Sequence, residues 1–158
     1  MITLKHIDFH DLEIMSKTIF GEARGEMMTG RRAVGCVIMN RAIKGQAYVE
    51  AYGKPHPLFG NGSLADACQR PYQFSCWNKN DPNLPKLLAV SLGNKTFGDC
   101  VTVAKMVIED SMDAKYAGRD PSRGACHYYV DGSAIPKWRE GKSPCAIIGR
   151  HIFFNNIS

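Results

Sequence analysis

The sequence has no long hydrophobic run and no excess of charge that would mark a membrane or disordered protein. Its longest apolar stretch, residues 33–39, contains Gly35 and falls far short of the ~20 residues that span a bilayer. Asp8 and Asp11 interrupt the first 13 residues, whereas a secretory signal peptide needs an apolar stretch of ~7–15 residues. With 44% hydrophobic and 22% charged residues, the composition is that of a globular protein. The sequence therefore predicts one folded domain over residues 1–158, made in the cytosol.

Metal-binding spacings of cysteine are also missing. The six cysteines contain no Cys-x-x-Cys pair, so a zinc knuckle is not expected. Cytosolic synthesis favours free thiols, and free cysteines are usually buried. We expect no metal site and no cofactor, and mostly buried, unpaired thiols at Cys36, Cys68, Cys76, Cys100, Cys126 and Cys145.

Positive charge exceeds negative charge, with 20 Lys and Arg against 15 Asp and Glu and a formal net charge of +5. Such an excess favours an anionic partner. The basic residues are scattered, with Arg31 and Arg32 the one adjacent pair, and no helix-turn-helix, zinc-finger or RNA-binding signature is present. We therefore expect no nucleic-acid partner, and a nucleic-acid-binding domain is a remote alternative.

The periodicity of apolar residues predicts an α+β fold that is mostly helical, with a small β element near the C-terminus. A first helix should begin near Asp8 or Asp11 and end at Gly21, because either aspartate can cap it. The pattern predicts further helices over 31–43, 84–92 and 99–115, a long loop over 52–63, and strands over 125–130 and 146–154 around a turn region at 131–143.

The segment Thr18–Glu26 contains the main candidate for chemistry. Glu22 follows an apolar helix and lies beside Phe20 and Gly21. An apolar pocket raises the pKa of a carboxyl group, and a helix C-terminus disfavours its charge further. Such a group can act as a general acid on a glycosidic oxygen. The alternative, from spacing alone, is a solvated helix end on which Glu22, Arg24 and Glu26 form surface salt bridges.

Six segments in a fixed order point to one family. They are Gly21–Glu26, Val37–Arg41, Gln73–Ser75, Asp120–Tyr129, Pro136–Trp138 and Ile148–Phe153. Together they resemble the cell-wall hydrolase family of the spore cortex-lytic enzymes (SleB/CwlJ type). The resemblance extends from about Leu12 to Phe154, nearly the whole chain.

The resemblance implies a lysozyme-like fold, similar to lytic transglycosylases, that cleaves peptidoglycan between N-acetylmuramic acid and N-acetylglucosamine. It implies that Glu22 is the catalytic acid and that Glu26 supports it. A single glutamate serves a lytic transglycosylase, whereas a muramidase usually has two carboxylates. Glu26, Asp66 and Asp120 are the candidates for a second carboxylate, and the sequence does not choose among them.

The same matched segments contain the candidate substrate-binding residues Gln73, Phe74, Ser75, Tyr128 and Tyr129. Gln73 can bond an acetamido group, and Phe74, with Trp77, can stack on a sugar ring or belong to the core. Tyr128 and Tyr129 are neighbours on a predicted strand, so they should point to opposite faces. We expect one tyrosine in the core and one, Tyr128, in the cleft.

The resemblance, combined with the missing signal peptide and the absence of a separate wall-binding module, suggests a phage endolysin. Such an enzyme would wait in the host cytoplasm and reach the wall after a holin-type pore permeabilises the membrane. Its partners would be bacterial peptidoglycan and the anionic cell envelope, and we expect a monomer.

A thiol peptidase or amidase that cuts the stem peptides is the alternative enzyme class. Gln73–Trp77 superficially resembles a papain-type segment, with Cys76 as nucleophile and His127 or His151 as base. The match is poor, because the papain pattern has Cys-Gly before the Ser-Cys and places its histidine ~130–150 residues downstream. A zinc amidase is less favoured still.

Overall fold

The computed structural model describes residues 7–157, which form six α-helices and three strands within that range. The remaining residues, including part of the segment used to exclude a signal peptide, lie outside the described residues. The helices are α1 (Phe9–Ala23), α2 (Met28–Tyr52), α3 (Leu64–Gln69), α4 (Leu84–Ala89), α5 (Lys95–Ser111) and α6 (Tyr116–Arg119). The strands are β1 (His127–Val130), β2 (Ala146–Ile148) and β3 (His151–Phe154), and short 3₁₀ helices cover Ser75–Trp77 and Lys137–Arg139.

Helix α1 begins where the sequence predicts and ends later. Asp8 caps it in a reciprocal capping box: the Asp11 N–H donates to the Asp8 carboxylate at 2.9 Å, and the Asp8 N–H donates to the Asp11 carboxylate at 3.1 Å. The predicted end at Gly21 is two residues too early. The extension matters because it places Glu22 in the last turn of the helix.

The predicted bounds of the other helices are less accurate. Helix α2 has 25 residues and runs to Tyr52, where Gly53 ends it with a φ of 69°. The side chains of its last two turns, residues 46–52, are half-buried or exposed, so no buried apolar stripe marks them. Helix α5 begins four residues before the predicted Asp99, because the Asn94 side chain accepts from the Phe97 N–H at 3.0 Å and caps it. Helix α3 was not predicted.

The helices pack around α1, which contacts α2, α3, α4 and α5. Apolar side chains from these helices form one core, and Met15, Ile19, Val37 and Val107 are completely buried in it. The Ser75–Trp77 turn also packs on α1 and buries Cys76. The C-terminal end of α1 is therefore held on several sides by apolar residues.

The predicted strand over 146–154 is two strands. Gly149 and Arg150 reverse the chain between them, and Gly149 has a φ of 57° that favours glycine. The antiparallel sheet has the order β1-β3-β2, with Tyr128 opposite Phe153 and Ile147 opposite Ile152. Strand β1 is thus an edge strand with one free edge.

The α+β, mostly helical prediction with a small C-terminal β element is confirmed. All six cysteines are free thiols and five are buried, Cys145 being half-buried. Within residues 7–157, none of the helices is both long and apolar enough to cross a membrane.

Gly21→Ala should destabilise the protein through steric overlap at the end of α1. A Cβ at this position would lie 2.7 Å from Leu87 Cδ2 and 2.8 Å from Cys76 Cβ. Overpacking a tight core costs about 1–3 kcal/mol, so we expect a loss of that size in the free energy of unfolding, measured by urea denaturation. Gly25→Ala is the matched control, since no atom lies within 4 Å of its added Cβ. Equal stability of the two variants would contradict this packing.

Candidate active site

A cavity of about 340 Å³ opens where the end of α1 meets the free edge of β1. Glu22 and Arg41 line it from α1 and α2, and the segments 72–75 and 133–138 close its sides. We call it the Glu22 cavity; its lining also includes Tyr72, Gln73, Ser75, Tyr128, Tyr129 and Trp138. Within the described part of the chain, Glu22 is the one carboxylic acid that lines it.

Burial at the end of α1 raises the pKa of Glu22 to about 7. The negative charge of Asp81 raises it further, whereas the Tyr128 hydroxyl, the Ser75 N–H and the charge of Arg41 each lower it. The Glu22 carboxyl is therefore protonated in a large fraction of molecules at neutral pH. A carboxylic acid with such a pKa is suited to donate a proton and take it back.

The hydroxyl of Tyr128 is the side-chain group that interacts most directly with the Glu22 carboxyl. This hydroxyl opposes the rise in the pKa of Glu22. Among residues 7–157, however, the hydroxyl is one of the buried polar atoms that have no hydrogen-bond partner at normal distance and angle. Burial also raises the pKa of Tyr128, so the hydroxyl keeps its proton. The hydroxyl is thus free to donate to a Glu22 carboxylate or to a bound oxygen atom.

Arg41 is a second site residue that the sequence did not single out. It is buried, its Nε donates to the Cys126 carbonyl at 2.7 Å, and its guanidinium donates to Gln73 Oε1 at 3.0 Å. The guanidinium also lies over the Phe74 ring, 4.9 Å from its centre. Arg41 therefore fixes the orientation of Gln73, whose amide lines the cavity. The signal in the sequence was a charged residue soon after the apolar run 33–39 within α2.

Glu26 is placed outside the cavity, where it joins the α1–α2 turn to the sheet. Its Oε1 accepts from the Arg150 N–H at 3.0 Å and lies 2.8 Å from His151 Nδ1. His151 Nε2 lies 3.2 Å from the Glu22 carbonyl oxygen, so an oxygen acceptor faces each ring nitrogen. A Cβ at Gly149 would overlap the Glu26 carboxylate. This arrangement, the Glu26–His151 clamp, positions the backbone of Glu22.

Electrostatics in the clamp favour an ionised Glu26. Desolvation raises the pKa of Glu26, but the Arg150 N–H and the His151 ring lower it by more, and the net direction is down. Glu22 and Glu26 thus have shifts of opposite sign, although four residues separate them in sequence. The support role that the resemblance implied for Glu26 fits this geometry better than a role in proton transfer.

The two tyrosines depart from the expected arrangement. Both Tyr128 and Tyr129 line the Glu22 cavity, although one was expected in the core. Strand β1 is an edge strand, so the cavity follows its free edge and side chains from both faces reach it. Tyr128 packs against His151, with ring centres 5.0 Å apart, and Tyr129 against Trp138, at 6.3 Å.

The structure corrects the expected role of Phe74. Its side chain is 1% exposed and belongs to the core, so no face is free to stack on a sugar. Gln73 and Ser75, on either side, do line the cavity. In an extended segment, neighbouring side chains alternate between inside and outside, and the register could not be read from the sequence.

The three candidates for a second carboxylate all have structural partners. Glu26 belongs to the clamp, and Asp66 pairs with Arg70 at 2.9 Å. Asp120 is buried and accepts from Asn40, from the Ser122 N–H and hydroxyl, and from the Gly124 N–H. None of the three lines the Glu22 cavity. Asp81, which acts on Glu22 electrostatically, was not considered in the sequence interpretation.

The geometry also argues against the thiol mechanism. Cys76 is completely buried beneath Gly21, and burial raises the pKa of its thiol. His127 has a pKa lowered to about 4, mainly by burial, and His151 is held by the Glu26–His151 clamp. A thiolate nucleophile needs an accessible, easily ionised cysteine, and Cys76 is neither.

Comparison with known proteins identifies the family. A family model described as cell wall hydrolase matches residues 25–154 of the chain. The chain belongs to the cell wall hydrolase family. The matched segment includes the Glu26–His151 clamp and the three cavity tyrosines, Tyr72, Tyr128 and Tyr129, and begins three residues after Glu22.

Named relatives of this cell wall hydrolase are spore cortex-lytic enzymes. The protein of Bacillus subtilis is 28% identical over 144 residues, 91% of this chain, and that of Halalkalibacterium halodurans is 27% identical over 146 residues, 92% of this chain. These alignments cover 37% and 35% of the two relatives. The hydrolase chain thus spans little more than a third of their length.

Two solved structures share the fold of this cell wall hydrolase. The catalytic domain of the Bacillus cereus SleB protein has a TM-score of 0.61 at 23% identity, covering 94% of this chain and 92% of that domain. The catalytic domain of the germination-specific lytic transglycosylase SleB from Bacillus anthracis gives the same score and identity, covering 94% and 97%. The lysozyme-like fold prediction is confirmed.

Glu22→Gln should stabilise the hydrolase above neutral pH. A raised folded-state pKa means that wild-type stability declines as pH rises from about 4.5, the ordinary glutamate value, to about 7. Glutamine avoids this loss, so we expect the variant to be more stable by about 3 kcal/mol at pH 8 and about equal at pH 4. Urea unfolding at both pH values measures the difference. Glu13→Gln, an exposed carboxyl on α1, is the control and should show no such pH dependence; equal behaviour of the two variants would contradict the burial of Glu22.

Proposed function

We propose that this chain is a peptidoglycan-degrading lytic transglycosylase that uses Glu22 as its single general acid and base. The observation that carries the proposal is the position of Glu22, which among residues 7–157 is the one carboxylic acid in the lining of the Glu22 cavity and has a pKa of about 7. Membership of the cell wall hydrolase family and the printed names of the relatives support the substrate class.

In the first step, protonated Glu22 donates its proton to the oxygen that links N-acetylmuramic acid to N-acetylglucosamine. The bond between that oxygen and the muramic C1 breaks, and positive charge develops at C1. The Glu22 carboxylate left behind is stabilised by the Tyr128 hydroxyl and the Ser75 N–H, the two donors that lower its pKa. Arg41 adds a positive charge nearby.

In the second step, Glu22 takes the proton of the muramic 6-hydroxyl as the 6-oxygen bonds to C1. This closes an anhydro ring and returns the proton to Glu22, so no water is consumed. A muramidase would instead need a water positioned by a second carboxylate. Glu26, Asp66 and Asp120 are all held in structural contacts, which favours the transglycosylase route over hydrolysis.

Glu22→Gln should abolish cleavage of purified peptidoglycan. Removing a general acid costs about 10²–10⁴-fold in rate, so we expect a loss of at least about 10²-fold in turbidity clearing. Mass spectrometry of wild-type products should find anhydro-muramic ends, one water lighter than reducing ends. Cys76→Ala is the matched control and should retain activity, because its thiol is buried and outside the cavity.

Other products would identify other enzymes. Reducing ends would make the chain a muramidase, and freed stem peptides would assign it to the thiol or amidase class. Full activity of Glu22→Gln would overturn the assignment of the acid.

The pH profile should report the protonation of Glu22. Because the acid form starts the reaction and the pKa is about 7, kcat/KM should fall about tenfold per pH unit above pH 7. Tyr128→Phe removes a group that lowers this pKa, so its falling limb should move to higher pH. Activity that stays constant from pH 6 to 9, or a limb that moves to lower pH in Tyr128→Phe, would contradict this role of Glu22.

The biological setting remains a prediction. The endolysin role, storage in the host cytoplasm, passage through a holin-type pore, attraction to the anionic envelope and the monomeric state rest on the sequence alone. The net charge of +5 supports the attraction to an anionic surface.

A further inference from the structure

A second and larger cavity, of about 760 Å³, adjoins the Glu22 cavity. We call it the Trp77 cavity. Its walls include the aromatic rings of Tyr72 and Trp77 and the side-chain amides of Gln69, Asn78 and Asn80. Tyr72 lines both cavities and therefore stands at their junction.

The side chain of Tyr72 is unusually exposed, and its backbone adopts an unusual conformation. Its side chain is 85% exposed, and its φ is 64°, in the left-handed region that non-glycine residues rarely adopt. In residues 7–157, Arg123 is the other non-glycine residue with a positive φ. Strained backbone persists where surrounding contacts impose it and often marks a functional position.

The surrounding contacts do impose the conformation of Tyr72. The Gln73 N–H donates to the Arg70 carbonyl at 3.2 Å, closing a tight turn around Tyr72, and Gln73 is held by Arg41. The next residue, Phe74, is anchored in the core. Both flanks of Tyr72 are thus fixed, and its ring is held outward between the two cavities.

The chemistry of the Trp77 cavity suits an uncharged sugar that carries amides and hydroxyls. Aromatic rings can pack against the apolar face of a sugar, and a few convergent amides can bond its polar groups. The lining contains one basic residue, Lys79, and one acidic residue, Asp81, so the site is not strongly charged. The Asp81 charge also raises the pKa of Glu22, so this cavity lies within electrostatic reach of the proposed acid.

We propose that the Trp77 cavity binds the glycan strand beyond the bond cleaved at Glu22, with Tyr72 as the stacking platform at the junction. The ligand class is N-acetylated amino sugars. This inference rests on the proposed function, because it assigns a further binding region for the same strand.

Binding to the Glu22→Gln variant tests the platform without turnover. The probe is the hexamer of N-acetylglucosamine, titrated by calorimetry into this variant alone and with Tyr72→Asn, Tyr72→Phe or Tyr52→Asn added. Asparagine tolerates a positive φ, so Tyr72→Asn removes the ring without adding strain and should unfold no earlier than its parent. Tyr52, 67% exposed at the end of α2 and outside both cavities, provides the matched control.

We expect Tyr72→Asn to weaken hexamer binding about tenfold, and Tyr72→Phe and Tyr52→Asn to leave it unchanged. In a Trp138→Phe background whose hexamer affinity by calorimetry is retained, Trp77 is the remaining tryptophan of the two in the sequence, and its fluorescence should change on binding. Unchanged affinity in Tyr72→Asn, an equal loss in Tyr72→Phe, or no fluorescence response would overturn the proposal. So would binding of a free stem peptide in place of the hexamer.

Cleavage assays separate this inference from the proposed function. If the wild type releases no glycan fragments, the proposed function fails whatever the binding result. If the wild type cleaves, Glu22→Gln is inactive, and Tyr72→Asn keeps wild-type KM on long glycan strands, the proposed function stands and the Trp77 cavity is not part of the binding cleft.

Discussion

The contact between the Glu26 carboxylate and His151 is the interaction on which the site depends. It connects the turn after α1 to the first residue of β3, and the other ring nitrogen of His151 reaches back to the Glu22 carbonyl. The same imidazole packs against the Tyr128 ring. One contact thus fixes the backbone of the proposed acid and the Tyr128 ring that faces it. The Arg41 Nε, which donates to the Cys126 carbonyl just before β1, is a second link between the helices and the sheet near the cavity.

Opposing influences from the residues around Glu22 set its pKa. Burial at the end of α1 and the charge of Asp81 favour the neutral carboxyl, while Tyr128, Ser75 and Arg41 favour the carboxylate. A reaction in which one group first donates and then accepts a proton needs both forms to be accessible. Burial alone would hold the proton too firmly, and the donors alone would release it before substrate binds.

The sequence predicted the mostly helical α+β class, because the periodicity of apolar residues is a local feature. The assignment of Glu22 as the acid came from the resemblance to a family and stays a prediction. The Asp8 cap and the apolar stripe of α1 place Glu22 at a helix end without any knowledge of the rest of the chain. Contacts between distant segments could not be predicted in this way. Phe74 lies in the core instead of the cleft, next to Gln73, which Arg41, some 30 residues earlier in the chain, holds by a hydrogen bond. The chain reversal that splits residues 146–154 into two strands lies against Glu26, whose carboxylate fills the space beside Gly149, and this distant contact leaves no local sequence pattern.

Three features that destabilise the folded protein lie in one cleft, and a network of hydrogen bonds behind the cleft offsets them. A half-buried acid, an unpartnered tyrosine hydroxyl and a left-handed tyrosine backbone all disfavour folding. Behind them, Asn40 bonds Asp120 at 3.0 Å and the Ala125 carbonyl at 2.9 Å, and Tyr116 bonds Asn40 at 2.8 Å. This buried network fixes the chain that enters β1, the strand that places Tyr128 beside Glu22. Because the network satisfies its own polar groups, it can hold an unfavourable arrangement in place for the substrate.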